Sequence, residues 1–192
     1  SAASGEISRP PLPCFSGPVG SIKVSRDNTI VAASTLDIYF ILYDMDSREL
    51  VSFKGHDSVV TSVDITEGGT TIVSGSWDNT LRVWDRKSAA CTKVLQGHYD
   101  NINAVTISGD SQTCYSAGED ELIAVWDLLG TKELLSPDFL TESITRVCAS
   151  EDGSAVAALI GFKLVYLWSV ATGSHLASVK SEHGVSCLCL SP

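Results

Sequence analysis

Val-Trp-Asp occurs twice in this chain, and each copy closes a stretch that opens with Gly-His. Gly55-His56 leads to Trp84-Asp85 and Gly97-His98 leads to Trp126-Asp127, with 28 residues from histidine to tryptophan in both cases. A third tryptophan, Trp168, stands 42 residues beyond the second, the same step that separates Trp84 from Trp126. A repeat this short is not a domain. It is one supersecondary unit that cannot bury its apolar surface alone, so a chain built of such units must stack them into a continuous core.

Within a unit the apolar residues alternate with a period of two, as in a half-buried strand. Val60, Ser62 and Asp64 alternate with Thr61, Val63 and Ile65 across 60–66. Glu67-Gly68-Gly69-Thr70 supplies a turn. A second strand follows at 71–76, then Trp77-Asp78-Asn79 as a tight turn, a third strand at 80–84, a loop at 86–89 and a fourth strand at 92–96. The next unit repeats the plan at 102–108, 113–117 and 122–126, with Glu119-Asp120-Glu121 as its tight turn. A step of 42 residues onward gives 144–150, 155–159 and 164–168, and a step of 41 back gives 19–25, 29–33 and 38–43, where Tyr43-Asp44 replaces Trp-Asp. A strand at 175–180 follows Thr172-Gly173, and 185–190 opens one more unit. The expected fold is all-β, with units of four antiparallel strands at 17–54, 55–96, 97–138 and 139–180 and one extra strand starting a fifth at 181–192. Residues 1–16 carry Pro10, Pro11 and Pro13 and read as an N-terminal arm with one edge strand at 12–15.

Composition narrows the function classes. Hydrophobic residues make up 44% of the 192 and charged residues 19%, which fits a folded chain. Thirteen basic against 23 acidic residues give a net charge of −10. Nucleic-acid binding draws its affinity from Lys and Arg neutralising phosphates, so direct binding is not expected, whereas a basic partner would be steered towards the chain. The most apolar stretch, 155–171, holds Gly161 and Lys163 and is shorter than the about 20 residues of a membrane helix; it reads as buried sheet, with no membrane segment. Cys14, Cys91, Cys114, Cys148, Cys187 and Cys189 lack zinc-ligand spacing, so no metal site is expected. They read as small apolar side chains in a reducing compartment, cytoplasmic or nuclear. No phosphate-cradling glycine loop points to a cofactor.

Units of this length opened by Gly-His and closed by Trp-Asp resemble the blades of the WD-repeat β-propeller family, and the resemblance covers 17–192. It implies a buried tetrad in each well-formed blade: His56, Ser74, Asp78 and Trp84 in one, His98, Ser116, Asp120 and Trp126 in the next. The chemistry suits the residues, since an imidazole can bridge a carboxylate and a hydroxyl while the indole N–H gains an acceptor. The outer units depart from the pattern, with Phe15, Ala33, Asp37 and Tyr43 in the first and Leu140, Ala158, Phe162 and Trp168 in the fourth. Their tetrads cannot form and apolar packing must serve instead. Ser, His and Asp are also the members of a hydrolytic triad. Here they recur at the repeat period together with a tryptophan, and Ser74-Gly75-Ser76 lies within a strand rather than at a nucleophile elbow, so no catalytic residue is expected.

The resemblance places function on the rim around a central channel. The positions three and five after the tetrad histidines are Val59 and Thr61, Asn101 and Asn103; the residues before the tetrad aspartates are Trp77 and Glu119. Trp77 in a tight turn is either an aromatic anchor for a partner or a lid over a neighbouring loop, and the asparagines have turn-forming roles as well. Trp84-Asp85-Arg86-Lys87 departs from the Trp-Asp-x-Arg motif of propellers that dock onto ubiquitin-ligase adaptors, since Lys87 lacks the planar fork of arginine. The function expected is a non-catalytic protein–protein interaction scaffold that presents a peptide or protein binding surface. The alternative is a regulatory sensor segment of a larger multidomain, nucleotide-binding signalling protein. Because a propeller must close to hide its edges, about four blades imply a partial ring. A longer parent chain, a small four-bladed closure, or a second copy forming an eight-bladed homodimer would complete it.

Overall fold

The computed structural model describes residues 18–128, 132–135 and 142–190; the arm at 1–16 and its edge strand at 12–15 lie outside them. The described residues form four antiparallel sheets of four strands each, with the strands of every sheet in chain order. The first contains β1 (Ser21–Val24), β2 (Ile30–Ser34), β3 (Tyr39–Asp44) and β4 (Leu50–Lys54). The second contains β5 (Val60–Ile65), β6 (Thr71–Ser76), β7 (Thr80–Asp85) and β8 (Cys91–Gln96). The third contains β9 (Ile102–Ile107), β10 (Thr113–Gly118), β11 (Ile123–Asp127) and β12 (Lys132–Leu135), and the fourth β13 (Ile144–Ala149), β14 (Ala155–Ile160), β15 (Leu164–Ser169) and β16 (His175–Lys180). Among the described residues no helix is long and apolar enough to cross a membrane.

Each first hairpin turns on a residue in the left-handed region: Asn28, Gly69, Ser111 and Gly153 have φ between 59° and 69°. Glycine adopts that geometry freely, and asparagine tolerates it through local hydrogen bonding. Asp27, Asp110 and Asp152 tighten three of these turns by accepting the amides of Thr29, Gln112 and Ser154 at 3.0–3.1 Å.

The sheets stack face to face, and three apolar clusters fill the spaces between them. Phe40, Leu42 and Phe53 of the first sheet meet Val63, Ile72 and Trp84 of the second. Val73, Leu81 and Val83 meet Ile102, Val105 and Trp126. Tyr115, Ala117 and Val125 meet Val147, Val156 and Trp168. In the first interface Phe40 and Phe53 stack at 4.7 Å, and both present edges to Trp84 at 5.6 and 5.8 Å, a favourable arrangement for ring quadrupoles.

The first strands β1, β5, β9 and β13 pack side by side as the inner wall, while β16 and most of β8 are solvent-exposed as the outer edge. Side chains stitch the inner wall together. Ser62 and Asp64 accept the backbone amides of Val105 and Ile107 at 3.2 and 2.8 Å. The register shifts between Val60 and Ser62, at Ala117–Gly118 opposite Asn103, and between Ile144 and Arg146, so Thr61, Asn103 and Thr145 are bulged residues. A bulge re-aims its side chain: Thr61 Oγ1 donates to Ile102 O at 2.7 Å and Asn103 Nδ2 to Ile144 O at 3.1 Å, each on the next sheet. Gly75 permits that approach, since a Cβ there would stand 2.7–2.8 Å from side-chain atoms of Val105 and Ile102. Across one mouth of the inner wall Arg26 pairs with Glu67 of the second sheet and, at 3.3 Å, with Glu151 of the fourth.

The strand expected at 185–190 is not a strand in the structure. Its amide at Val185 donates to Phe162 O at 2.7 Å. An inner strand gains its ladder from the second strand of its own sheet, and no described residue supplies one. The two terminal sheets leave apolar side chains in solvent: Ile22, Val24 and Ile38 on the first, Phe162, Leu176 and Val179 on the fourth.

Candidate functional site

The tetrad residues come together in both central sheets. His56 Nδ1 lies 2.7 Å from Asp78 Oδ2 and its Nε2 lies 2.7 Å from Ser74 Oγ, while Trp84 Nε1 donates to that same oxygen at 2.8 Å. In the third sheet His98 lies 2.6 Å from Asp120 and 2.7 Å from Ser116, and Trp126 Nε1 donates to Ser116 Oγ at 2.8 Å. One assignment of protons satisfies every atom: Nδ1–H donates to the carboxylate, Nε2 accepts the serine O–H, and the serine oxygen accepts the indole N–H.

The carboxylates also hold the loops. Asp78 accepts the amides of Asp57 and Thr80 at 3.0 Å and the Thr80 hydroxyl at 2.6 Å, tying the Gly-His loop to the tight turn. Burial alone would raise the Asp78 carboxyl, but the hydrogen bonds from His56, Thr80 and Asp57 outweigh it and hold it well below the usual carboxylate range. Asp120 is lowered in the same way, burial being offset by His98 and the amides of Tyr99 and Leu122. Gly55 leaves room for the indole, since a Cβ there would come within 3.1 Å of Trp84 Cη2 and 2.8 Å of Arg82 Nη1.

The Ser–His–Asp distances are those of a hydrolytic triad, yet neither serine can meet a substrate. Ser74 and Ser116 are 0% exposed, and each hydroxyl oxygen is capped by an indole N–H. Among the described residues no group of three or more His, Cys, Asp or Glu is placed to hold a metal ion.

The outer sheets keep the register without the network. Val156 pairs with Trp168 and Ala158 lies two residues on, where Ser74 and Ser116 lie relative to Trp84 and Trp126. Trp168 Nε1 is buried with no hydrogen-bond partner among the described residues, and Phe162, in the aspartate position, is 68% exposed. In the first sheet the Asp37 carboxylate accepts the adjacent amide of Ile38 at 2.7 Å, while its backbone carbonyl accepts Val60 N of the second sheet at 2.8 Å. Phe15 and Leu140 lie outside the described residues.

The rim candidates divide into two sets. Thr61 and Asn103 are half-buried, and their polar atoms bind the neighbouring sheet's backbone. Trp77, Val59, Asn101 and Glu119 lie at the open end. Trp77 N donates to Val59 O at 3.0 Å while the indole stands 44% exposed. Glu119 N donates to Asn101 O at 2.9 Å, and Asn101 Nδ2 donates back to Glu119 Oε2 at 3.1 Å. Sequence reasoning passed over Tyr99, whose ring is 78% exposed beside them. Its signal was its place directly after the tetrad His98. On the opposite end, Arg86 pairs with Asp44 in a hollow of about 510 Å³ between the first two sheets, and Lys87 is exposed there.

The tetrad predicts paired stability changes. Ser74→Ala leaves Trp84 Nε1 and His56 Nε2 without partners and should cost about 2–3 kcal/mol. Ala158→Ser offers Trp168 Nε1 an acceptor and should gain up to about 1 kcal/mol. Urea unfolding of both variants checks this; an unchanged midpoint for Ser74→Ala contradicts it.

Residues 47–85 and 89–127 match the family model described as WD domain, G-beta repeat. Each matched stretch holds the outer strand of one sheet and the inner three of the next, β4 with β5–β7 and then β8 with β9–β11. The chain is 35% identical over 120 residues to the LEC14B protein of Lithospermum erythrorhizon, covering 59% of this chain and 25% of that one. It is 30% identical over 114 residues to pre-mRNA-splicing factor cwf17 of Schizosaccharomyces pombe, covering 58% and 33%. The chain therefore spans a quarter to a third of the length of these relatives. The solved structure of U3-55K is similar in fold, with a TM-score of 0.81 at 18% identity over 89% of this chain and 54% of that one. Matched repeats, sheet topology and tetrad geometry together make this a chain of the WD-repeat β-propeller family.

Proposed function

We propose that this chain is a non-catalytic scaffold that binds a peptide or protein at the open end of its second and third blades. The observation that carries the reading is Trp77, a large aromatic side chain held in solvent by a turn that the tetrad fixes. Aromatic anchors dominate interface energetics, and a pre-ordered loop loses little entropy on binding. Val59, Asn101 and Glu119 surround the same end; Thr61 and Asn103 would contribute through the backbone they position. Sealed serines support a role without catalysis. The net charge of −10 supports a partner other than nucleic acid, and five free cysteines among the described residues support a reducing compartment, cytosol or nucleus. Affinity enrichment followed by quantitative mass spectrometry should yield proteins that the Trp77→Ala chain loses, with its melting temperature unchanged. Identical enrichment by both chains would remove Trp77 from the site.

The exposed apolar residues of the terminal sheets support a homodimer in which a second copy completes an eight-bladed ring around a two-fold axis. Sedimentation equilibrium at micromolar concentration should then give twice 20.4 kDa; a single species at 20.4 kDa contradicts the dimer.

A further inference from the structure

Four loops form the open end of the second and third blades: 55–59, 77–79, 97–101 and 119–121. They contain Asp57, Asp78, Asp100, Glu119, Asp120 and Glu121 and no lysine or arginine. Asp78 and Asp120 are committed to the tetrads. The other four are not buried, and the Asp57 side chain is 90% exposed. Two aromatic rings, Trp77 and Tyr99, rise from the same loops. Arg82, mostly buried, lies 3.8 Å from Asp57, and Lys54, which directly precedes the first loop, has its Nζ 5.9 Å from the centre of the Tyr39 ring. The loops of the two blades share one end. Thr61 Oγ1 donates to Ile102 O at 2.7 Å, one residue after Asn101, and lies 3.1 Å from Gly75 O, two residues before Trp77.

We infer that the partner at this end is a basic peptide segment, whose lysine or arginine side chains meet the exposed Trp77 and Tyr99 rings and the carboxylates of the same loops. This rests on the scaffold reading above and names the chemistry of its partner. Ring faces attract ammonium and guanidinium groups, and a single-sign rim concentrates cations and speeds their approach. The same carboxylates repel phosphates, which sets a nucleic-acid strand apart from a basic peptide. A metal ion is a poor fit, because among the described residues no three of these carboxylates are grouped to hold one and Glu119 already accepts from Asn101 Nδ2.

A display library of random twelve-residue peptides, selected on the full chain, provides the test. Selected peptides should be enriched in Lys and Arg. By fluorescence anisotropy their affinity should fall roughly tenfold or more in Trp77→Ala and in Tyr99→Ala. It should fall likewise in the triple variant Asp57→Asn, Asp100→Asn, Glu121→Gln, and as salt rises past the range where the Debye length is about 10 Å. Both rings are exposed, so unchanged melting curves would separate lost binding from lost fold. Peptides without basic enrichment that Trp77→Ala still weakens would overturn the basic partner and leave the scaffold reading standing. Basic peptides that bind the aromatic variants as well as the parent would overturn the site, and a selection with no enrichment at all would overturn both.

Discussion

A four-stranded sheet with two apolar faces is not stable alone, and everything in this structure depends on each sheet covering its neighbour. The tryptophans carry that constraint. Trp84 packs against Phe40 and Phe53 of the preceding sheet, Trp126 lies with Val73 and Leu81, and Trp168 with Tyr115 and Ala117. Each is therefore a core residue of an inter-sheet space before it is a hydrogen-bond donor. This explains why Trp168 persists in a sheet that has no serine for its indole: burying so large a ring stabilises the interface with or without the polar network.

Polar groups then convert stacked sheets into a defined end. The tetrad begins in the core at the indole and finishes at a carboxylate that holds two loops, so the packing of Trp84 sets the position of the turn bearing Trp77. The bulged residues act sideways, as Thr61 and Asn103 bind carbonyls of the next inner strand and fix the spacing between blades. Rigid elements below and exposed side chains above are the conditions under which a surface can be specific without moving.

Much of this was legible in the sequence because the repeat amplifies it. The step of 41 or 42 residues placed the first three strands of every unit, since alternation and turn residues recur in register, and the resemblance to WD-repeat blades placed the tetrads. The outer strand β4 escaped the alternation reading because Leu50, which faces water, sets an apolar residue beside Val51 and masks the alternation that its burial shows. Residues 185–190 have the pattern of an inner strand, but pairing is a property of the partner, which alternation within one segment cannot report. Thr61 and Asn103 read as rim contacts by motif position. Only the register shift shows that their side chains turn towards the next sheet. Tyr99 was missed because an exposed aromatic outside any periodic pattern leaves no trace in periodicity.

The central claim is that buried indole-to-serine bonds in the second and third blades anchor the loops of the open end. Hydrogen exchange of the tryptophan side-chain Nε1–H groups, followed by NMR, tests it directly. The Trp84 and Trp126 protons should exchange only through opening of the fold, roughly a hundredfold or more slower than that of exposed Trp77. Exchange of Trp84 and Trp126 at the rate of Trp77 would mean that the tetrads are not formed and would contradict the account.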